Sequence, residues 1–362
     1  MQRGHDLVVN SNRTPRRGII CLGMLRELLV IGLVLTPIVI ALCDARTLMK
    51  WHLSPQESDR ADEERAPILS LGLDQDQQTL VIHTYPDSYE ELEINQGQVL
   101  KRMRQGGLVS VTTSPHNSTT VYCTQGNESQ RLYFTISVLR AGQAIINEEY
   151  EGPNVSPADA HISDDGNTVI LINHSGDGIG WSISETNSTR WEFQLPQTAV
   201  ANCLEPNGQR LFAVSHEGKA SIFDIQTGQV VVSFGTIPDC GRSISWSATG
   251  NRLAVADRSG LIILYDTLTG QEIWKRSVPL MNQRGVRLSS DGSRMAAAIA
   301  DRRIQIWDFS YPEEQSSMLE GNSGFVMDCL FTSNNTRLIA GCVDGTVREW
   351  SLASNELLRQ IR

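Results

Sequence analysis

Residues 205–266 read EPNGQRLFAVSHEGKASIFDIQTGQVVVSFGTIPDCGRSISWSATGNRLAVADRSGLIILYD, and this stretch contains its own pattern twice. EPNGQR-LFAV returns as SATGNR-LAVA, and KASIFD returns as LIILYD. Working outward, the turn glycines Gly166, Gly208, Gly250 and Gly292 stand 42 residues apart, and Asn335 follows after 43. A second series runs through Gly176, Gly218 and Gly260 and continues with Arg302 and Gly345. A third holds Arg210, Arg252, Arg294 and Arg337, each followed by Leu or Met. A fourth is aromatic: Trp181, Phe223, Tyr265, Trp307 and Trp350. Four markers keeping one period define a repeat unit, and a repeat decides the architecture before any single element does.

Each unit has the same parts. A short apolar stretch leads to a Gly or Asn turn. An apolar run follows, such as TVILI, RLFAV, RLAVA, RMAAAI or RLIAG. After a second turn comes a strand ending in the aromatic, then a polar turn and a last strand. Four short strands in about 42 residues is the proportion of a β-propeller blade. The second run is apolar throughout because a middle strand packs between two neighbouring blades, and alanines such as Ala297 and Ala340 permit close approach. Two weaker units precede these five, with Phe134 near the aromatic position of one and Leu92 at that of the other. The expected fold is therefore all-β, a seven-bladed propeller of four-stranded blades over residues 66–362, behind an N-terminal hydrophobic helix. Its last strand, ELLRQI, is expected to complete blade seven, with residues 47–54 as an alternative contributor to the ring.

These units resemble the WD40 repeat family, most sharply in the last four. Trp307-Asp308 is the dipeptide that names that family, and Asp224 and Asp266 follow Phe223 and Tyr265 in the same place. Asp301 with Trp307, and Asp344 with Trp350, match two members of the hydrogen-bonded set that the family carries within each blade. The family's Gly-His pair is missing from every unit. The resemblance thus implies a degenerate member whose intrablade polar network is mostly absent, with apolar packing supplying the stability. It also implies a surface that binds proteins rather than a catalyst.

The segment before the repeats carries a different signal. Residues 28–43, LLVIGLVLTPIVIALC, hold no charge, and Arg3, Arg13, Arg16 and Arg17 precede them. Sixteen residues are fewer than the roughly 20 that a spanning helix needs and close to a signal peptide's apolar region. The positive-inside rule keeps the basic end in the cytoplasm and sends the rest across. Residues 1–45 accordingly read as a cytoplasmic leader with a signal peptide or signal anchor, and residues 46–65 as a polar linker. Met24 opens a stretch with signal-peptide proportions of its own and is an alternative start. A propeller facing the cytoplasm would require the charge rule to fail.

Chemistry-bearing motifs are absent. No H-E-x-x-H, G-x-S-x-G or G-x-x-x-x-G-K-[ST] occurs, and the 7 cysteines form no C-x-x-C. Cys21 and Cys43 lie in or beside the hydrophobic segment, and most of the other five read as core residues, since free Cys is among the most buried residue types. The net charge of −10 disfavours nucleic-acid binding. His174 and His216, with Asp177 and Glu217, sit at one turn of adjacent blades, but the next blades offer Arg258, Ala300 and Val343 there, so they read as loop residues and not metal ligands. Neither cofactor nor metal is expected. The preferred reading is a non-catalytic scaffold, exported or membrane-anchored through residues 28–43, that binds a protein or peptide partner. The alternative is an exported propeller enzyme or small-ligand binder with its site at the central channel. The candidate contact face holds Tyr85, Asp87, Tyr150, Arg242, Arg258, Met281, Arg284, Arg302, Arg303 and Phe325, with Arg242 and Arg284 at equivalent positions. Arginine and aromatic side chains are the types enriched at protein contacts.

Overall fold

The structure is a computed structural model. It describes residues 66–362 except 74–77, 86–87, 105–107, 115, 117–118, 129–130, 141–142, 152–158, 185–186, 238–242, 280–284, 312 and 314. The expectations for residues 1–65, including the leader, the hydrophobic helix, the linker and a strand from 47–54, lie outside the described residues. Among those described, no helix is long and apolar enough to cross a membrane.

Seven four-stranded antiparallel sheets follow one another along the chain, over residues 68–104, 108–151, 159–194, 201–233, 243–277, 286–319 and 326–360. Each runs in simple up-and-down order, and blade seven takes all four strands from its own stretch of chain. The first strands touch their neighbours in sequence, and the first strand of blade seven (Val326–Phe331) packs on that of blade one (Ile68–Leu73), closing the ring. The seven-bladed reading is borne out.

The repeat markers have structural causes. Gly166, Gly208, Gly250 and Gly292 occupy the first hairpin turn of blades three to six with φ between 69° and 72°, and Asn335 takes φ 55° in blade seven. Only Gly, or less often Asn, holds that left-handed conformation without strain. The arginines that follow are clips between blades. Arg210 donates to Gly250 O (3.3 Å), Arg252 to Gly292 O (2.6 Å) and Arg294 to Asn335 O (3.3 Å), each reaching the same turn of the next blade. Arg140 makes the same contact from blade two, to Gly166 O (2.8 Å).

The aromatic series sits where the repeat put it. Trp181, Phe223, Tyr265, Trp307 and Trp350 all lie on third strands, paired with Val169, Leu211, Leu253, Met295 and Leu338 near the start of each second strand. Leu92 holds the position in blade one, opposite Leu80. In blade two the expectation needs correction: Leu139, opposite Thr120, is the equivalent residue, and Phe134 pairs with Gln125 nearer the hairpin turn. The cause is an elongated hairpin, Thr119–Glu128 with Arg131–Arg140, which shifts the strand relative to the other units.

The apolar core is divided among the interfaces. Seven clusters can be assigned among the described residues, one for each pair of neighbouring blades. In six of them the third-strand residue of one blade packs with the second and third strands of the blade before it; between blades three and four Phe223 instead shares its cluster with Ile170 and Ile172 of the second strand and Phe193 of the fourth. Trp307 shares its cluster with Ala254, Ala256 and Leu264, and Trp350 with Ala296, Ala298 and Ile306. The cluster joining blade seven to blade one contains Ile339, Val347, Ile361, Ile68 and Leu92. Ala297 and Ala340 are fully buried.

The two tryptophans differ in one respect. The Trp350 indole donates to Glu320 O (3.1 Å), whereas the buried Trp307 Nε1 has no hydrogen-bond partner among the described residues. Replacing Trp307 by Phe deletes an unsatisfied donor, while the same change at Trp350 breaks a bond. We expect W307F to be less destabilising than W350F by about 1 kcal/mol in chemical denaturation, and either Ala variant to cost about 3–5 kcal/mol. Equal costs for the two Phe variants would contradict this geometry.

Candidate functional site

In each blade the connection between the second and third strands lies on the same side as the connection to the next blade. His174, His216, Arg258 and Arg302 occupy these second-to-third turns in blades three to six, and all four are exposed. Of the expected contact residues, Arg258 and Arg302 are on this face, and Arg303 and Phe325 stand beside Arg302. Tyr85 is at the equivalent turn of blade one, half-buried, with its N–H bonded to Pro67 O (2.9 Å). Tyr150 is elsewhere. It lies on the outer strand of blade two, edge-on to Trp181 at 6.3 Å, with its hydroxyl on Glu148 and Arg190 over its ring. Asp87, Arg242, Met281 and Arg284 lie outside the described residues.

The corner between blades six and seven is the most constructed part of this face. Arg302 stands where four other blades have Gly, and like those glycines it adopts a positive φ, 69°. For a residue with a Cβ this costs roughly 1–2 kcal/mol. The turn is held from the loop that enters blade seven. Asn322 Nδ2 donates to Arg302 O (2.8 Å), and Arg302 Nη1 donates to Ser323 O (3.1 Å). The guanidinium lies over the Phe325 ring, 5.7 Å from its centre. Gly324 allows the close approach, since a Cβ there would meet Asp344 Cγ at 2.9 Å. Ser323 Oγ in turn bonds Asp344, whose other oxygen accepts from Thr346 N (3.1 Å) and Oγ1 (2.6 Å). Burial alone would raise the Asp344 carboxyl, but those hydrogen bonds, with Arg348 nearby, hold it below the ordinary range. Arg303 is committed to Asp301 and Glu320.

Around the axis the first strands are stitched by polar groups that sequence reasoning missed. His161 Nε2 meets Asn202 Oδ1 at 2.5 Å between blades three and four. Trp246 donates to Cys203 O (3.1 Å) between four and five. Ser243 and Ser245 hydroxyls accept from Val286 N and Leu288 N (both 2.9 Å) between five and six. Asp328, fully buried on blade seven, accepts from Arg287 Nη2 of blade six (2.8 Å), from Cys329 N (2.9 Å) and from Leu71 N of blade one (3.1 Å). It thereby ties the last blade to both neighbours. The available signal was a charge inside each apolar first strand, in VRL and VMDCLF, but the two fall at different registers and no fixed spacing links them.

The family's intrablade set, expected from the sequence to be mostly absent, has its matching acids bonded elsewhere. Asp301 goes to Arg303, Asp344 to Ser323 and Thr346, and the Trp307 indole bonds nothing among the described residues. Polar bonds within blades follow other pairs, such as Arg210 with Glu205 and Arg294 with Asp308, and further bonds join neighbouring blades.

Reactive groups are sparse. Burial pushes the Cys123, Cys203 and Cys329 thiols up to about 12 and Cys342 up to about 11, which leaves them without thiolate near neutral pH. Asp177 bonds Asn173, and Glu217 pairs with Lys219, each within its own turn. Among the described residues no three His, Cys, Asp or Glu side chains converge to hold a metal ion. A shallow open groove of ≈ 740 Å³ lies between blades three and four, lined by Gln194, Leu195, Pro196, Gly228, Gln229 and Val230 and by no titratable side chain.

With this geometry, comparison with known proteins defines the class. A family model described as WD domain, G-beta repeat matches residues 313–351, and one described as outer membrane protein assembly factor BamB matches residues 151–324, just under half of the chain. Among solved structures, the β-propeller domain of Cps50 (Swd1) from Myceliophteria thermophila superposes with a TM-score of 0.62 at 15% identity, covering 79% of this chain and 96% of that one. At that identity the likeness shows the fold alone. The match extends to 1662 solved chains, so the fold does not narrow the function. No curated protein matches the sequence. The chain is a seven-bladed β-propeller, with one stretch, residues 313–351, that matches a WD40 repeat model.

Substituting Arg287 by Met would leave the buried Asp328 carboxylate without its counter-charge. We expect a loss of about 3–5 kcal/mol in equilibrium unfolding. A loss within about 0.5 kcal/mol, typical of a surface site, would show that this pair does not hold the ring.

Proposed function

We propose that this chain is a non-catalytic scaffold, exported or membrane-anchored, that binds a protein or peptide partner on the face bearing the second-to-third turns. The observation that carries the reading is that this face presents arginine and aromatic side chains, while the acids, histidines and thiols described above are bonded to neighbours, lie singly in turns, or are buried and inert. A WD40-type fold favours protein interaction over catalysis. The match over residues 151–324 to a model described as an outer membrane protein assembly factor agrees with a place at the cell envelope. The basic leader and apolar residues 28–43 agree with export, as a hydrophobic helix that is either retained as an anchor or removed as a signal. An enzyme or small-ligand binder at the axis is disfavoured because His161, Asn202, Arg287 and Asp328 bond one another across blades instead of facing an open site.

Export is tested by fusing alkaline phosphatase after Arg362, since that enzyme needs an oxidising compartment. We expect active reporter, and a mature N-terminus by mass spectrometry that separates anchor from cleaved signal. An inactive reporter, with a cytoplasmic reporter active in its place, would reverse the topology.

A further inference from the structure

We infer that the corner between blades six and seven is a carboxylate-binding site in which Arg302, backed by Phe325, receives an Asp or Glu side chain of an extended acidic segment in a partner protein. The inference rests on the scaffold reading above and adds the chemistry of what is bound.

Three observations converge on Arg302. First, it holds a left-handed conformation at a position where Gly176, Gly218, Gly260 and Gly345 serve four of the other blades. Glycine is the unstrained choice, so folding does not explain the arginine. Strain of this kind persists where the surroundings hold it, and it concentrates at sites that bind. Second, the surroundings do hold it. The Asn322 and Ser323 contacts fix the backbone and one guanidinium nitrogen, and the Phe325 ring supports one face of the group. A guanidinium fixed in this way loses little freedom on binding, which lowers the cost of association. Third, the cation has no carboxylate partner among the described residues although the chain carries 41 acidic residues against 31 basic ones. The nearby acids are already engaged: Asp301 and Glu320 by Arg303, and Asp344 by Ser323 and Thr346. Arg302 is exposed and uses only Nη1 in its bond to Ser323 O.

Arginine presents a planar fork that matches a carboxylate with two parallel bonds. An aromatic ring behind it favours a partner residue whose apolar stem can lie alongside. Arg258, exposed at the equivalent turn of blade five and engaged with no acid among the described residues, adds a second cation on the same face. Two cations on neighbouring blades suit an extended segment with several acids better than one isolated carboxylate.

The decisive variant is Arg302→Gly, which removes the guanidinium and restores the residue that the turn favours. The full-length protein, solubilised in detergent, is tested against an immobilised peptide of alternating Asp, Glu and Phe and against its Asn, Gln and Phe counterpart. We expect the wild type to bind the acidic peptide and not its neutral counterpart. In R302G, binding should fall about tenfold, while the thermal midpoint stays within about 2 °C or rises. Arg302→Lys should keep part of the binding, as a point charge without the fork. Unchanged binding in R302G, or equal binding of the neutral peptide, would overturn the inference. So would a fall in midpoint with binding intact, which would make Arg302 structural. If R302G loses the acidic peptide but a partner cross-linked in membranes before solubilisation is still captured, the site stands and the partner uses another surface. If the peptide never binds while that partner is captured, the scaffold reading stands and this site does not.

Discussion

A four-stranded blade in this chain has two apolar faces and can bury neither alone. That constraint governs the rest of the structure. Each face must meet a neighbour, so the sheets must succeed one another until the last meets the first. The core is accordingly split into interface clusters, each built from a third-strand aromatic or leucine resting on the blade before it. Folding of any one blade is worth little without the next, which is the nearest-neighbour logic of repeat proteins, here closed into a ring.

Closure is the exposed point of such a design. Blade seven borrows no strand among those described, so the joint with blade one depends on Ile68, Leu92 and Ile361 and on a few polar contacts. Asp328 bonds Leu71 N, Arg362 reaches Glu90, and Arg359 donates to Asn95 O (3.1 Å). Elsewhere the same task is shared by the turn arginines and by Ser243 and Ser245. Because these groups are bonded to one another, the axial wall is stitched and not reactive, and the loops of the outer face are left to interact.

Much of this was legible because each blade repeats the same turn at the same spacing. The glycines and aromatics fall at fixed intervals for conformational and packing reasons shared by blades three to seven, so the period revealed five blades, and the strand pattern of two weaker units before them completed the seven. The arginine series was visible as a period, but its role was not, since its bonds go to carbonyls of the following unit. Phe134 was misplaced because blade two extends its central hairpin, and apolar pattern does not report register when extra residues are added at a turn. Arg287 and Asp328 were hidden because they pair at different registers of adjacent strands. Arg302 was in plain view as the break in a glycine series, yet only the φ angle and the Phe325 contact give the break a meaning.

The central claim is that the ring is held by its interfaces and axis while the corner of blades six and seven is free to bind. Amide hydrogen exchange of the full-length protein, with and without an acidic partner segment, tests it most directly. The account predicts that second strands such as Arg252–Ala256 and Arg294–Ala298 are the slowest to exchange in either state. Added segment should slow exchange in residues 299–303 and 320–325 and leave the axial strands unchanged. Protection appearing instead in Asp159–Ile162 and Ala201–Leu204, with residues 299–303 unaffected, would place binding at the axis and contradict the account.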